Sequence, residues 1–316
     1  MKTGAALKTT AIVLSEPRHI DVRTLDLIPP RDGDLVVEIA HSGISTGTER
    51  LLWSGTMPAF PGMGYPLVPG YEAVGHVVER HGECPIALGQ TVFVPGANCY
   101  EGARGLFGAS ASRLIVSAER ALPIDSALGE NGILLALAAT AYHTFAGAAL
   151  PELIVGHGVL GRLLARLVVA VGGAAPTVWE INADRRAGAQ GYAVVDPATD
   201  ERRDYRVITD VSGAAGILDS LVARLAPSGE IVLGGFYSDP LSFVFPPAFM
   251  REARFRVAAQ WQRADLEAVR ALVENGWLSL DGIITHRAAA DQADTAYRTA
   301  FENPGCLKMV LDWRAS

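Results

Sequence analysis

The 316-residue chain has only three cysteines, Cys84, Cys99 and Cys306. They are too few and too scattered for a disulfide framework or a Cys-x-x-Cys zinc lobe. A reducing cytoplasm is the expected compartment. Basic charge is not in excess either. Lys and Arg number 27 against 34 Asp and Glu, a formal net charge of −7. No surplus is left to neutralise phosphates, which excludes nucleic acid as the expected partner. Arg185-Arg186 and Arg202-Arg203 are only pairs, so there is no polybasic membrane patch. Long apolar runs are missing as well. Near the N-terminus Ala11 to Leu14 is too short for the core of a signal peptide. The longest apolar stretch, Ile154 to Ala175, carries Arg162, Arg166 and several glycines, which argues against a transmembrane span. There is no internal repeat and no low-complexity tract.

What is present suits a large folded core: 49% of residues are hydrophobic and 19% charged. The length suggests about two domains. Residues 1–125 read as strands and turns. Leu35–Ala40, Tyr71–Val78, Gln90–Val94 and Arg113–Val116 are short β-rich runs between Gly/Pro loops, which predicts a small β-barrel. Residues 126–277 change to an αβ alternation. Gly132–Leu150 is helix-like, Leu160–Val171 and Gly216–Leu225 have a helical apolar period, and strands are predicted near residues 153, 178, 207 and 232. Such alternation implies a doubly wound parallel sheet with helices on both faces. Residues 278–316 return to short elements, and Lys308–Trp313 reads as a last strand. This tail is expected to complete the barrel.

One turn in the αβ segment carries chemistry. Gly156, His157, Gly158, Val159, Leu160 and Gly161 make a G-x-G-x-x-G spacing after a strand and at the start of a helix. The first glycine allows the tight turn, the second lets backbone approach a pyrophosphate, and the third lets helix and strand pack closely. Free N–H groups at the helix start would hold the phosphates. Glu180 ends the next strand, where an acid grips the ribose hydroxyls. That placement favours NAD over NADP. Arg185 and Arg186 follow closely; the first is a candidate contact at the adenosine end, and solvated helix surface is the alternative. Asp210 and Gly234, the latter in Gly234-Gly235-Phe236, end later strands, where ligand-lining residues lie in open α/β sheets.

A second motif is VPGYEAVGHVV, Val68 to Val78. Together with the β-rich front, the central dinucleotide turn and the returning tail, it resembles the medium-chain dehydrogenase/reductase superfamily, whose fold is a GroES-like barrel plus a Rossmann domain. Many members read Gly-His-Glu where this chain has Gly70-Tyr71-Glu72. Their catalytic zinc is held by a Cys in Gly-Ile-Cys, by that His, and by a Cys shortly before Thr-x-Tyr. Here the matching residues are Ser45, Tyr71 and Ala136, the last four before Thr140-Ala141-Tyr142. Ser, Tyr and Ala do not replace the soft Cys and His ligands of Zn²⁺. The reading is a metal-free member. Whether Thr48 or Glu49 matches the family's acid stays open.

The stretch Ser42–Glu72 and the tail residues LSLDGIITHR and CLKMVLDW are similar to the dehydrogenases of bacteriochlorophyll a biosynthesis. That resemblance implies oxidation of a 3-(1-hydroxyethyl) group on a bacteriochlorophyllide to 3-acetyl, with NAD⁺ as acceptor and a tetrapyrrole as substrate. It also implies a homodimer, and it leaves open a transient contact with a membrane surface. Without zinc, other groups must take the proton and steady the charge. Ser45 and Tyr71 are the first candidates, Thr46 and Thr48 could relay a proton, Glu72 could orient or accept, and His143 follows Thr140-Ala141-Tyr142 on a helix. The plain alternatives are a packed aromatic for Tyr71, a structural carboxylate for Glu72 and a structural histidine for His143. Lys308 matches a basic family position near the pyrophosphate, with a surface lysine as alternative. His41 reads as a solvent-facing strand residue. Leu52, Trp53, Met57, Phe60, Met63 and Tyr65 lie in one Pro/Gly-rich region; exposed, they would form a lid for a flat apolar macrocycle, and buried they would be core. Two rival functions remain: a zinc-free quinone or enoyl reductase using NADPH, and a pigment carrier that kept the fold and lost catalysis.

Overall fold

The computed structural model describes residues 7–315. The chain begins with an antiparallel hairpin, β1 (Lys8–Glu16) and β2 (His19–Asp26). β1 buries Ala11 to Leu14, whereas β2 is the polar edge of a four-stranded sheet and has no burial pattern to betray it. β3 (Asp34–Ile44) is buried along almost its whole length. The cause is its central place: one edge carries β5 (Ala73–Arg80) and the other carries β8 (Arg113–Ser117) along its first half. Between β3 and β5 come a short helix, α1 (Thr48–Ser54), and β4 (Leu67–Val68). β6 (Thr91–Val94), β7 (Arg104–Gly105) and β9 (Leu122–Pro123) complete the front.

The predicted long helix from Gly132 is shorter in the structure. Residues 126–134 are 3-10 turns, broken at Gly129, and α2 covers only Leu135–His143. Six parallel strands follow: β10 (Leu153–Val155), β11 (Thr177–Trp179), β12 (Ala193–Val195), β13 (Tyr205–Asp210), β14 (Leu225–Leu233) and β15 (Arg254–Val257). Their spatial order is β12-β11-β10-β13-β14-β15. This is the doubly wound order with its switch point between β10 and β13, where ligands bind beyond the carboxyl ends. The interspersed helices are α3 (Val159–Ala170), α4 (Leu218–Arg224), α5 (Phe245–Met250) and α6 (Arg263–Glu274). α3 buries Leu163, Leu164, Leu167 and Val168 against the sheet.

The tail consists of β16 (His286–Ala289), α7 (Ala293–Glu302) and β17 (Met309–Asp312). β17 runs antiparallel to the second half of β3, with Ile44 opposite Met309 and His41 opposite Asp312. The chain divides into two compact units: residues up to Leu135 together with those from Ile283, and Ala136–Gly282. The 3-10 turns belong with the first unit because Gly132 lies against Val74 of β5 and Ile124.

Candidate active site

In the first unit the chain leaves β3 at Ser45, turns, and enters α1. The Ser45 amide donates to Glu49 Oε1 at 2.9 Å, which fixes the turn. Ser45 Oγ meets the Tyr71 hydroxyl at 2.5 Å, and Thr48 also hydrogen-bonds that phenol. Phe107 packs edge-on to the Tyr71 ring at 5.4 Å. Burial, with the Glu72 charge adding to it, pushes the Tyr71 phenol far above its usual range. Tyr71 therefore stays a protonated hydroxyl and is not a base. Thr46 sits half-buried in the turn between.

Beneath this pair lies a charged core. Glu49 is fully buried, and its Oε2 accepts from the Tyr297 hydroxyl of α7 at 2.7 Å. Burial pushes the Glu49 carboxyl up to about 7, with the Glu72 charge adding to it, although the Ser45 amide and Tyr297 pull it back. Glu72 is fully buried and paired with Lys308, itself 1% exposed, whose ammonium also donates to the Ile44 carbonyl at 3.1 Å. Burial raises the Glu72 carboxyl despite that partner. The pair explains Gly43: a Cβ there would lie 2.2 Å from Glu72 Oε2. Lys308 was expected at the pyrophosphate or on the surface. The pairing of β17 with β3 carries it into the barrel, where its ammonium is taken by Glu72 and Ile44.

Ser45 and Tyr71 occupy two positions that hold zinc in the metal-dependent relatives implied by the sequence. They are neutral hydroxyls bonded to each other, and the phenol is held protonated. Ala136, at the third position, is a buried methyl on α2. This donor set does not fit Zn²⁺.

In the second unit the glycine turn fits a dinucleotide. Gly156 has φ 101°, which a side chain would strain, and a Cβ on Gly161 would lie 1.8 Å from the Gly156 carbonyl. Gly158 caps α3, no side chain bonds the helix start, and a Cβ there would meet nothing within 4 Å. Backbone amides and open space are what a pyrophosphate needs. Val159 is buried and Leu160 half-buried in the first turn of α3. Glu180, at the end of β11, accepts from the His157 amide at 3.1 Å and the Asn182 amide at 2.9 Å. The acid is thus tied to the turn. The His157 ring points elsewhere: Nδ1 donates to the Arg185 carbonyl at 2.7 Å, so Nε2 accepts from Tyr192 at 2.9 Å. Burial lowers this imidazole to about 4, which keeps it neutral. Arg162 Nη2 also donates to the Arg185 carbonyl. Arg186 is engaged by the Glu180 and Ile181 carbonyls and by Asp196.

Asp210 ends β13 fully buried, accepting from Ser212 N at 2.9 Å and from Tyr237 at 2.7 Å. Burial raises its carboxyl. Its carbonyl accepts from the amides of Gly234 and Gly235, which lashes the ends of β13 and β14 together. His143, the last residue of α2, has Nδ1 2.7 Å from Asp265 Oδ2. Sequence reasoning proposed His143 and missed Asp265, which lies 122 positions away with no motif to mark it. Tyr237 and Tyr297 were missed for the same reason, and Glu49 was left open because the register after Ser45 is ambiguous by one residue.

The proposed lid comes apart. Leu52, Trp53 and Met57 are 0%, 5% and 9% exposed and belong to the barrel core, with Trp53 against Phe301 at 5.4 Å. α1 is the reason: it turns Leu52 and Trp53 inward. Met63 and Tyr65 are half-buried against the same core, and the Tyr65 hydroxyl donates to the Leu52 carbonyl. Phe60 alone of the group is exposed. His41 is not solvent-facing but 8% exposed, because β17 covers that half of β3.

Residues 31–126 match the alcohol dehydrogenase GroES-like domain. The chain is 59% identical to the 2-desacetyl-2-hydroxyethyl bacteriochlorophyllide A dehydrogenase of Cereibacter sphaeroides, over 98% of this chain and 100% of that protein. It is 58% identical to the protein of the same name from Rhodobacter capsulatus, over 98% and 99%. The chain belongs to the medium-chain dehydrogenase/reductase family. Among solved structures, 2R,3R-butanediol dehydrogenase from Bacillus subtilis has a TM-score of 0.83 at 18% identity, covering 97% of this chain and 99% of that one. At that identity the likeness concerns the fold, the GroES-like barrel and Rossmann sheet described above. Two other structures of this fold, at 21% and 18% identity, hold NADP and NADH respectively. Among the described residues no helix is long and apolar enough to cross a membrane.

Proposed function

We propose that this protein oxidises the 1-hydroxyethyl substituent of a bacteriochlorophyllide to acetyl, in bacteriochlorophyll biosynthesis, with NAD⁺ as hydride acceptor and without zinc. The observation that carries the reading is the near-full-length identity of 59% to a dehydrogenase of that name. The dinucleotide turn supports an active enzyme over a pigment carrier, since a carrier has no use for Glu180 bonded to the His157 amide. NAD is preferred because the Glu180 carboxylate would repel a 2′-phosphate, and the nearby Arg186 is already engaged. This disfavours the NADPH-dependent reductase.

NAD⁺ supplies the electron-pair acceptor when bound at the glycine turn. The backbone of Gly158 to Gly161 would hold its pyrophosphate, and Glu180 its adenosine ribose. On the barrel side, the Tyr71 and Ser45 hydroxyls form a short chain that ends in one free O–H, suited to donate to the substrate oxygen and orient it. Glu49 and the Glu72–Lys308 pair hold that chain in place from below. The substrate helps: its carbinol carbon is attached to a conjugated macrocycle, so positive character during hydride loss is delocalised. Hydrogen bonds then suffice where a simple alcohol needs a metal.

The test is an absorbance assay of the purified, chelator-treated protein with a 3-(1-hydroxyethyl) bacteriochlorophyllide. Acetyl product with NAD⁺, at a rate at least about tenfold above NADP⁺, is the expected result. Pigment binding without turnover would favour the carrier, and NADPH-dependent reduction of a conjugated double bond the reductase. An equal rate on a simple aliphatic alcohol would remove the delocalisation argument.

A further inference from the structure

We propose that His143 is the general base of this oxidation and that Asp265 is its positioning residue; the proposal rests on the alcohol-oxidising reading above. The Tyr71 phenol is held protonated, so it is not the group that takes the substrate proton. Four other titratable groups near the two sites are engaged. Glu72 is buried against Lys308. Glu49 has one oxygen on the Ser45 amide and the other on Tyr297. Both Asp210 oxygens are taken by Ser212 and Tyr237. Both His157 nitrogens are taken by Arg185 and Tyr192. His143 differs from all of these. Its Nδ1 faces the Asp265 carboxylate, which only accepts, so the proton sits on Nδ1. Nε2 then carries the lone pair, and among the described residues it has no hydrogen-bond partner. A carboxylate that sets the tautomer and orientation of an imidazole with a free Nε2 is the arrangement of a histidine base.

The dyad is built firmly. The Asp265 side chain is 8% exposed, and its Oδ2 also accepts from the Gln262 amide at 2.8 Å, closing a capping box at the start of α6. The His143 side chain is 24% exposed, open enough to meet a ligand. Its position within the second unit is the other half of the argument. Thr144, the next residue, lies where a Cβ on Gly234 would be 2.9 Å from its Cγ2. Thr144 also binds Arg256 of β15 through its carbonyl at 2.7 Å. The end of α2 therefore abuts the carboxyl ends of β14 and β15, the edge of the sheet at which cofactors lie in open α/β folds. A base must be at that edge, because the alcohol carbon reacts against the nicotinamide. In the step, His143 Nε2 would take the hydroxyl proton as the carbon–oxygen bond becomes double, and NAD⁺, bound at the glycine turn, would supply the acceptor for the hydride on carbon. The imidazolium formed is stabilised by Asp265.

The experiment uses the full chain with NAD⁺ and the hydroxyethyl bacteriochlorophyllide. Wild-type turnover is the reference, and its absence would sink the function reading and with it the need for a base. Given turnover, H143Q is expected to lose about 10²- to 10⁴-fold in kcat with both KM values nearly unchanged. H143A should regain part of its rate as free imidazole is added, and D265N should show a smaller kcat loss of the same kind. If H143Q keeps wild-type kcat, or if imidazole restores nothing to H143A, the base assignment is overturned while the reaction stands. If D265N matches wild type, the positioning role is overturned.

Discussion

Ser45 Oγ and the Tyr71 hydroxyl lie 2.5 Å apart, where metal-dependent members of the family place two zinc ligands. A pair of neutral hydroxyls can orient and donate but cannot withdraw charge as a cation does. If the pair steadies the substrate oxygen, Tyr71→Phe should lower kcat by about 10²-fold, the loss typical of one donor to a developing oxyanion. KM for NAD⁺ should be unchanged. Steady-state kinetics with the pigment check this, and a kcat within error of wild type would reduce Tyr71 to packing against Phe107.

Glu180 joins β11 to the glycine turn through the His157 amide. Glu180→Gln keeps an acceptor but loses the charge, and its amide group now faces a donor. Charge-assisted hydrogen bonds contribute about 1.5–3 kcal/mol. NADH affinity, read by fluorescence titration, should fall about tenfold or more, and the preference over NADPH should narrow. Unchanged discrimination would mean that something other than this carboxylate selects the nucleotide.

Lys308 and Glu72 form a buried ion pair, and removing one partner leaves the other charge uncompensated. Lys308→Met should destabilise the protein by about 3–5 kcal/mol. The double substitution Lys308→Met with Glu72→Gln should recover part of that loss. Urea unfolding measures both. A wild-type midpoint for the single variant would show that Lys308 is dispensable to the barrel.

Glu49 gives stability a defined pH slope. Its carboxyl rises from 4.5 to about 7 on folding. A raised pKa means the native state holds the proton more tightly than the unfolded one. The contribution is fully present below about 4.5 and is lost as pH rises through about 7. His157 has the opposite sign: its pKa falls from 6.5 to about 4, so its contribution is present above 6.5 and lost as pH falls through about 4. Melting temperatures across this range should therefore show that Glu49→Gln gains on wild type as pH rises. A difference that does not vary with pH would contradict the buried carboxyl.

Trp53 and Phe60, both once candidates for a pigment lid, should separate cleanly. Trp53→Ala empties core and should cost about 3–5 kcal/mol. Phe60→Ala, at an exposed site, should leave the melting temperature alone, and only it can raise the pigment KM without loss of fold.

Local spacing was enough for part of this protein. Gly156, Gly158 and Gly161 with Glu180 mark a turn whose geometry suits a dinucleotide, because the turn, the helix start and the next strand end are close in sequence. Ser45, Tyr71 and Ala136 fall at the zinc-ligand positions only through the resemblance to the family's motifs, and their residue types do not suit Zn²⁺. The αβ alternation declares the parallel sheet, since burial on both faces leaves continuous apolar strands. Tertiary structure decided the rest. Glu49 meets Tyr297 across 248 positions, Lys308 meets Ile44 across 264, and His143 meets Asp265 across 122. No sequence window contains both members of such a pair. Whether Trp53 is lid or core, whether His41 faces water, and whether Lys308 reaches a phosphate or a buried carboxylate all depend on which strand covers which. Pairing of β17 with β3 settles the last two, and the inward turn of α1 settles the first.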